Sequence, residues 1–239
     1  MRKHEHGISR RDLFRLGLTG GSALVATACG WDGGPTLEPK LRLVSSANDW
    51  IGARLFSKTK LAPTYPISQR ATSMPGYFVS KEMPTLEHPE TWQLQVGGLV
   101  KAPQAFNLAA LMALPAVTYT VKHHCVEGWT SINTWTGVPL STIASIVQTV
   151  PAARYVRFES FDSGYMNGWD IESALHPQTL LAYAYNDKPL MPMHGAPVRL
   201  YSPVKLGYKL TKYLTTVTFG TQKSGGYWED QGYPWFGGI

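Results

Sequence analysis

The sequence predicts an α+β domain with a mixed, β-dominated core. Three observations carry that reading. Short segments of alternating apolar and polar residues recur along the chain. Only brief helical stretches separate them. No glycine-rich dinucleotide fingerprint and no phosphate-binding P-loop is present, so a doubly wound nucleotide-binding sheet is excluded.

The regular body starts near Thr91, where Trp92, Leu94 and Val96 alternate with polar residues and predict a strand. Asn107 can cap a short helix running to Leu114, and Pro115 ends it. Val117, Tyr119 and Val121 alternate again and deliver Cys125 at a strand end. Gly137-Val138-Pro139-Leu140 leads to Ser141, a cap for a helix to about Val150. Tyr155 to Ser160 predicts another strand, and Asp162 to Asp170 a loop. Leu180 to Tyr185, the Asn186-Asp187 turn and the segment from Leu190 form a hairpin pattern. Val198 to Tyr201 and Tyr213 to Phe219 complete the set of strands.

Before this body, the chain opens on Met1-Arg2-Lys3 and Ser9-Arg10-Arg11-Asp12-Leu13-Phe14. A glycine-containing apolar run from Leu16 to Ala28 follows. A basic start with twin arginines, a short apolar run and the small residues Ala26-Thr27-Ala28 predict a Tat signal peptide over residues 1–28, hence export to the periplasm. Cys29 comes next, where a lipid anchor would attach. Residues 29–48 read as a linker and 49–239 as one domain. Asn48 to Pro89 is broken by Pro63, Pro66, Pro75, Pro84 and Pro89 and reads as a wrap over the core.

Removing the leader from the 239 residues leaves 17 Lys and Arg against 14 Asp and Glu, a formal charge of +3. That mild excess does not suggest a nucleic-acid binder. No second apolar segment is long enough to cross a bilayer. Eight Trp and twelve Tyr suit aromatic-lined pockets. Cys125 is the only cysteine inside the expected domain, so no internal disulfide can form there.

A lone cysteine in an exported protein is open to several readings. It could be a small core residue. It could be a nucleophile beside His123 or His124, although no acid or oxyanion motif stands out. His123-His124-Cys125 cannot converge on one tetrahedral zinc, because consecutive residues point apart. A soft thiolate acting as sole protein ligand suits a metal whose other ligands arrive with a cofactor.

Cys125-Val126-Glu127-Gly128-Trp129, followed by Trp135-Thr136-Gly137-Val138-Pro139-Leu140, resembles the molybdenum-binding segment of the sulfite oxidase superfamily. The Val-Glu-Gly-Trp version is most similar to the periplasmic methionine-sulfoxide-reductase catalytic subunits and their short single-domain relatives. Met193-His194-Gly195-Ala196-Pro197-Val198-Arg199-Leu200 resembles the stretch of that family that grips the pterin. Lys205-Leu206-Gly207-Tyr208-Lys209-Leu210-Thr211-Lys212-Tyr213 resembles its phosphate region. The resemblance spans about residues 76–219.

It implies a sulfite-oxidase-type molybdopterin-binding fold holding one molybdenum-molybdopterin per chain, with Cys125 as metal ligand and catalytic residue. It implies cofactor contacts from Ser160, His194, Arg199, Gly207, Tyr208, Lys209 and Lys212, and from the aromatic pair Tyr77 and Phe78. Relatives follow that pair with Arg-Asn-His, whereas Val79-Ser80-Lys81-Glu82 stands here. The physical reading agrees with a phosphate clamp. Arg199 offers a bidentate fork, Lys209 and Lys212 add point charges, and Gly207 lets backbone amides approach. Cations nearby would also lower the Cys125 pKa.

The loop Asp162–Asp170 offers Tyr165, a second catalytic candidate, with Asn167 and Trp169 but no arginine. Lys122, Lys205 and His124 are other sources of charge. A neutral pocket favours reduction of an S-oxide or N-oxide such as methionine sulfoxide, with electrons from a separate partner such as a membrane haem b protein. The alternatives are a sulfite dehydrogenase that passes electrons to a cytochrome c, and a non-catalytic pterin-fold binding module. No haem motif and no immunoglobulin-like dimerisation domain is expected, and the aromatic tail from Tyr227 to Phe236 reads as packing on its own domain.

Overall fold

A computed structural model describes residues 38–162 and 164–239, with side chains from residue 43. The expected leader and Cys29 lie outside the described residues. The chain divides into two compact units, Met1–Ser46 and Ala47–Ile239. Helix α1 covers Glu38–Leu55, so the last part of the expected linker is helical. Its sequence explains why: Leu, Arg and Ala dominate after Pro39, and they outweigh the polar serines that suggested a linker.

From Phe56 to Trp92 the chain is irregular, as its prolines require, with single 3-10 turns at Ile67–Gln69 and Pro89–Thr91. It is nonetheless tied to the body. Thr64 bridges Val121, and the Tyr65 amide donates to the Thr120 carbonyl at 2.9 Å.

The strands are β1 (Gln93–Gly98), β2 (Gln104–Asn107), β3 (Val117–His124), β4 (Thr130–Pro139), β5 (Tyr155–Ser160), β6 (Met166–Asp170), β7 (Leu180–Tyr185), β8 (Lys188–Pro189), β9 (Arg199–Tyr201) and β10 (Leu214–Gly220). One sheet runs β2-β1-β10-β5-β6, with β1 and β10 parallel and the other neighbours antiparallel. The second runs β3-β4-β7-β8, with β9 also paired to β7. Alternation does what it should in the first sheet: Leu94, Val96, Val156, Phe158, Val217 and Phe219 are buried and their neighbours are not.

Helix α2 (Leu108–Met112) is capped as expected, the Asn107 side chain accepting from the Ala110 amide at 2.8 Å. Helix α3 (Leu140–Ile146) is shorter than expected, and Ser141 is not its cap. Pro139 occupies the cap position, its fixed φ of −55° leading directly into the first turn. Gln148 takes a left-handed φ of 54°, so the helix cannot reach Val150. Residues 166–170, expected as loop, form β6, and Asp170 caps the single turn α4 (Ile171–Ala174). Strand β4 was not expected because several consecutive residues, Asn133, Thr134 and Trp135 among them, are buried, which erases the alternation.

Gly98 has a φ of +83°, and a Cβ there would run into the Phe219 carbonyl of the neighbouring β10. Gly98→Ala is expected to destabilise the protein by at least about 2 kcal/mol, roughly 4–8 °C in Tm by calorimetry.

Candidate cofactor cleft

Strand β3 and strand β4 form a hairpin, paired from Val117↔Gly137 to His124↔Thr130. Its five-residue tip is Cys125 to Trp129. The Cys125 amide donates to the Trp129 carbonyl at 3.0 Å, and the Gly128 amide donates to the Cys125 carbonyl at 3.2 Å. Gly128 sits at φ +89°, the left-handed position that lets such a loop close. The tip holds the Cys125 thiol half-buried at the wall of a cavity of about 250 Å³.

The Cys125 thiol lies 3.7 Å from a Glu127 oxygen, which also accepts from the Trp129 indole at 2.9 Å. Burial pushes the thiol pKa up; backbone hydrogen bonds from Glu127 and Val126 pull it down, while the Glu127 charge and side-chain hydrogen bond add to the rise. The expected lowering by nearby cations is therefore not found. A metal ion on the sulfur would supply charge that holds a thiolate.

Arg199 on β9 is buried at 4% exposure. Its guanidinium donates to the carbonyls of His194 at 3.0 Å and Leu210 at 3.3 Å, and its carbon lies 5.0 Å from the Trp135 ring centroid. It forms no ion pair among the described residues. Burial lowers its pKa to about 10. Lys212 donates to the Met193 carbonyl at 2.9 Å, and burial followed by Arg199 lowers its pKa to about 7. Gly195, at φ +99°, makes room for that lysine, because a Cβ would stand 2.7 Å from Lys212 Cβ.

His123 and His194 line the same cleft, and both are buried with Nδ1 unpartnered among the described residues. Burial, then Arg199, lowers the His123 pKa to about 3 and the His194 pKa to about 4. The buried Tyr213 hydroxyl is also unpartnered. Both imidazoles are neutral in the folded protein, whereas in the unfolded chain they titrate near 6.5. The unfolded state thus binds more protons below that value. Stability of the cofactor-free protein is expected to fall as pH drops from about 6.5 towards 4, with a His194→Gln variant losing part of the slope in urea denaturation.

Most of the expected site residues converge. Tyr77, Phe78, Cys125, Ser160, Tyr165, His194, Arg199, Gly207, Tyr208 and Lys212 all line the cleft. Lys209 does not. Its ammonium is fully buried, paired with Glu229, and donates to the Gly168 carbonyl at 3.0 Å. Tyr208 lines the cleft whereas Lys209 is turned to Glu229 of the tail, a long-range contact that spacing could not use to distinguish Lys209 from Lys212. Gly207 lines the cleft and also has a packing role. A Cβ there would sit 2.9 Å from His123 Nε2, so the glycine makes room for that ring.

The Tyr165 hydroxyl is committed, donating to the Tyr208 carbonyl at 2.6 Å, and burial raises its pKa. It acts as a wall and a brace for Tyr208. Asn167 and Trp169 are buried away from the cleft, donating to the carbonyls of Tyr208 and Lys209. Lys205 is buried against the Phe236 carbonyl at 2.6 Å, and Lys122 and His124 face another cavity.

Asp162, from the loop expected beside the site, also lines the cleft, as do Trp228 and Tyr233, which were not foreseen as site residues. The Asp162 carboxylate accepts from the amides of Val79 and Ser80 at 2.7 and 2.9 Å and from the Ser80 hydroxyl at 2.6 Å. It thereby ties Tyr77 and Phe78 to the body. The tail does pack on its own domain, as expected, but it also roofs the cleft. Trp228 lies 5.8 Å from Tyr77 and 5.1 Å from Tyr233, ring to ring. The density of aromatics in that tail was the only sequence signal for it.

No group of three metal-binding side chains occurs among the described residues. One thiol, two cations that form no ion pair among the described residues and three buried polar atoms unpartnered there therefore suit an anionic group that brings further metal ligands with it. That chemistry points to a protein that holds an anionic, metal-bearing cofactor. Comparison with known proteins narrows it. Residues 80–228 match the family described as oxidoreductase molybdopterin binding domain. The chain is 37% identical over 96% of its length, and 88% of the other's, to a putative protein-methionine-sulfoxide reductase subunit, YedZ1, of Azospira oryzae. It is 32% identical over 71% of its length, and 88% of the other's, to the uncharacterized oxidoreductase YuiH of Bacillus subtilis.

The catalytic subunit MsrP of protein-methionine-sulfoxide reductase from Ralstonia nicotianae is 34% identical over 55% of the chain, which spans only 44% of that protein. The crystal structure of the sulfane dehydrogenase SoxCD from Paracoccus pantotrophus superposes with a TM-score of 0.56 at 21% identity, covering 59% of this chain and 41% of that one. This chain belongs to the molybdopterin-binding oxidoreductase family, with the sulfite-oxidase-type fold.

Proposed function

We propose that this oxidoreductase is exported by the Tat route to the periplasm and reduces an S-oxide or N-oxide, with protein or free methionine sulfoxide as the leading substrate. The observation that carries this reading is the set of aromatic side chains that line the cleft together with Cys125. Tyr77, Trp228, Tyr233 and Tyr165 form a neutral, aromatic face around the cleft. Such a face accommodates a polar but uncharged S–O group on an apolar side chain. A dianion such as sulfite needs cations directed at it. Arg199 and Lys212 instead donate to the backbone carbonyls of His194 and Met193, which suits them better to an anionic pterin phosphate. The description of the Azospira relative as a reductase subunit supports the same direction and a separate electron donor.

One molybdenum-molybdopterin per chain would supply a two-electron couple and a position that accepts the substrate oxygen. Cys125 would ligate the metal. Arg199, Lys212 and His194 would hold the pterin, with Ser160 and Tyr213 as neutral hydrogen-bonding groups. The aromatic roof would orient the substrate and keep bulk water out.

The test is turnover by the metal-loaded protein in both directions. Reduced viologen should be oxidised on adding methionine sulfoxide, and cytochrome c should not be reduced on adding sulfite. The opposite pair of results would replace this reading with sulfite oxidation. No turnover and no molybdenum in folded protein would replace it with a binding role.

A further inference from the structure

Helix α1 is built inside out. From Ala47 onward, one of its faces packs on the body and carries Asp49 and Gly52, and Phe56 just beyond the helix continues that face. The Asp49 carboxylate accepts from the amides of Phe236 and Gly237 at 2.8 and 3.0 Å. A Cβ on Gly52 would stand 3.8 Å from the Phe236 ring, which lies 5.6 Å from the Phe56 ring between centroids. The opposite face carries Ala47, Trp50, Ile51, Arg54 and Leu55. Trp50 is 59%, Ile51 47% and Leu55 79% exposed. Leu43 and Val44, earlier in the helix, are exposed as well. A helix on the surface of a water-surrounded domain turns its apolar stripe to the core. Here small and polar residues take the core side and the large apolar ones face out together, so the stripe has a use other than folding.

The charges around the stripe are of one sign. Arg54 lies over the Trp50 ring, 4.4 Å from its centroid, and Lys58 and Lys60 follow. Lys58 pairs with Glu172, whereas Arg54 and Lys60 form no ion pair among the described residues. The only acidic residue from Ala47 to Leu61 is Asp49, which is turned to the core side. Leu55 and Leu61 carry the surface on to a second cavity, of about 450 Å³, on the face of β3 opposite His123. Its lining includes Lys60 and Lys122 and no Asp or Glu. An apolar stripe bordered by a tryptophan and basic residues is the composition of a helix that lies in a lipid–water interface.

We propose that α1 seats the protein on the surface of an anionic phospholipid bilayer. Trp50, Ile51 and Leu55 enter the boundary of the acyl chains, and Arg54 and Lys60 meet the lipid phosphates. This seat is independent of the substrate that the cleft takes. No helix among the described residues is long and apolar enough to cross a membrane, so the contact lies at the surface. The sequence before the helix favours this occupant. Eight residues separate Cys29 from Glu38, a reach of at most roughly 30 Å. The helix therefore stays beside any membrane that the apolar run Leu16–Ala28 or a lipid on Cys29 engages. Stable peripheral attachment takes two signals, and an interfacial helix supplies one. A second copy is the poorer occupant, because an isologous contact would set a basic face against itself.

The test uses the full chain with Cys29→Ser, which excludes a lipid anchor, and protein-free vesicles of phosphatidylcholine and phosphatidylglycerol brominated in their acyl chains. The vesicles should quench the part of the tryptophan emission that Trp50→Phe removes. Cosedimentation should weaken at least about tenfold on Ile51→Gln with Leu55→Gln, and roughly fivefold for each of Arg54→Gln and Lys60→Gln. The charge effects should vanish on vesicles of phosphatidylcholine alone. These side chains are exposed, so Tm should stay within about 2 °C of the parent. Quenching is read at Trp50 itself, so binding by the leader run, common to every variant, does not imitate it. Absence of Trp50 quenching would overturn the proposal, as would vesicle binding indifferent to Ile51 and Leu55. A lipid-free dimer that dissociates on Ile51→Gln with Leu55→Gln would overturn it in favour of a second copy. Binding to native membranes but not to protein-free vesicles would overturn it in favour of a membrane protein.

Discussion

Replacing Cys125 by alanine is expected to cut turnover of the metal-loaded enzyme by at least about a hundredfold and to abolish the visible absorption of a metal–thiolate bond. The fold should survive. Cys125 is outside the hydrophobic core, at a hairpin tip whose closure depends on backbone hydrogen bonds and on Gly128, not on the sulfur. Its thiol meets only the exposed Glu127 carboxylate. The Tm of the cofactor-free variant should therefore stay within about 2 °C of the parent, since surface changes away from special features move stability by roughly 0.5 kcal/mol or less. Pterin retention should persist in part, because Arg199, Lys212 and His194 are untouched. A Cys125→Ala protein that keeps both absorption and turnover would remove Cys125 from the chemistry.

The second large effect concerns Lys209. Lys209→Met is expected to destabilise the protein by about 3–5 kcal/mol, a Tm loss of roughly 6–20 °C. The reason is the partner left behind. Glu229 is buried, and among the described residues Lys209 is its ion-pair partner, with burial pushing the carboxyl pKa up and the lysine pulling it down. The double variant Lys209→Met with Glu229→Gln should recover part of the loss, because no uncompensated charge remains. The two residues also link β6 and the tail, through the Gly168 carbonyl and the Glu229–Gln231 turn. Loosening that link should reach the cleft through Trp228, which borders both. A lysine that served the pterin phosphate would behave differently. Its loss would cost cofactor and leave thermal stability nearly intact.

Local chemistry explains which parts of the fold were legible. Strands with one buried face announce themselves, so β1, β3, β5, β7 and β10 could be placed from alternation or from apolar runs. Asn107 declares its cap, and Asn186-Asp187 declares a turn, which the structure closes with φ of 50° and 64°. Strand β2 is only four residues long, and β4 is buried through much of its length, so neither leaves a periodic mark. The helix Glu38–Leu55 was hidden by the polar composition of its first half.

The cleft divides in the same way. Residue type and order placed a single thiol in a Cys-Val-Glu-Gly-Trp segment at a strand end and two lysines after Gly207, and the family resemblance of the 193–200 segment grouped His194 with Arg199. Those features depend on neighbours in sequence, where spacing is nearly geometry. Which lysine faces the cleft, and which buried carboxylate holds Tyr77 and Phe78 in place, depend on contacts between segments 20 to 83 residues apart. So do the roofing of the cleft by the tail and the back-to-back placement of a second cavity. Long-range packing sets those positions, and a one-dimensional pattern carries no record of which partner each side chain meets once two sheets and an irregular wrap close around one hairpin.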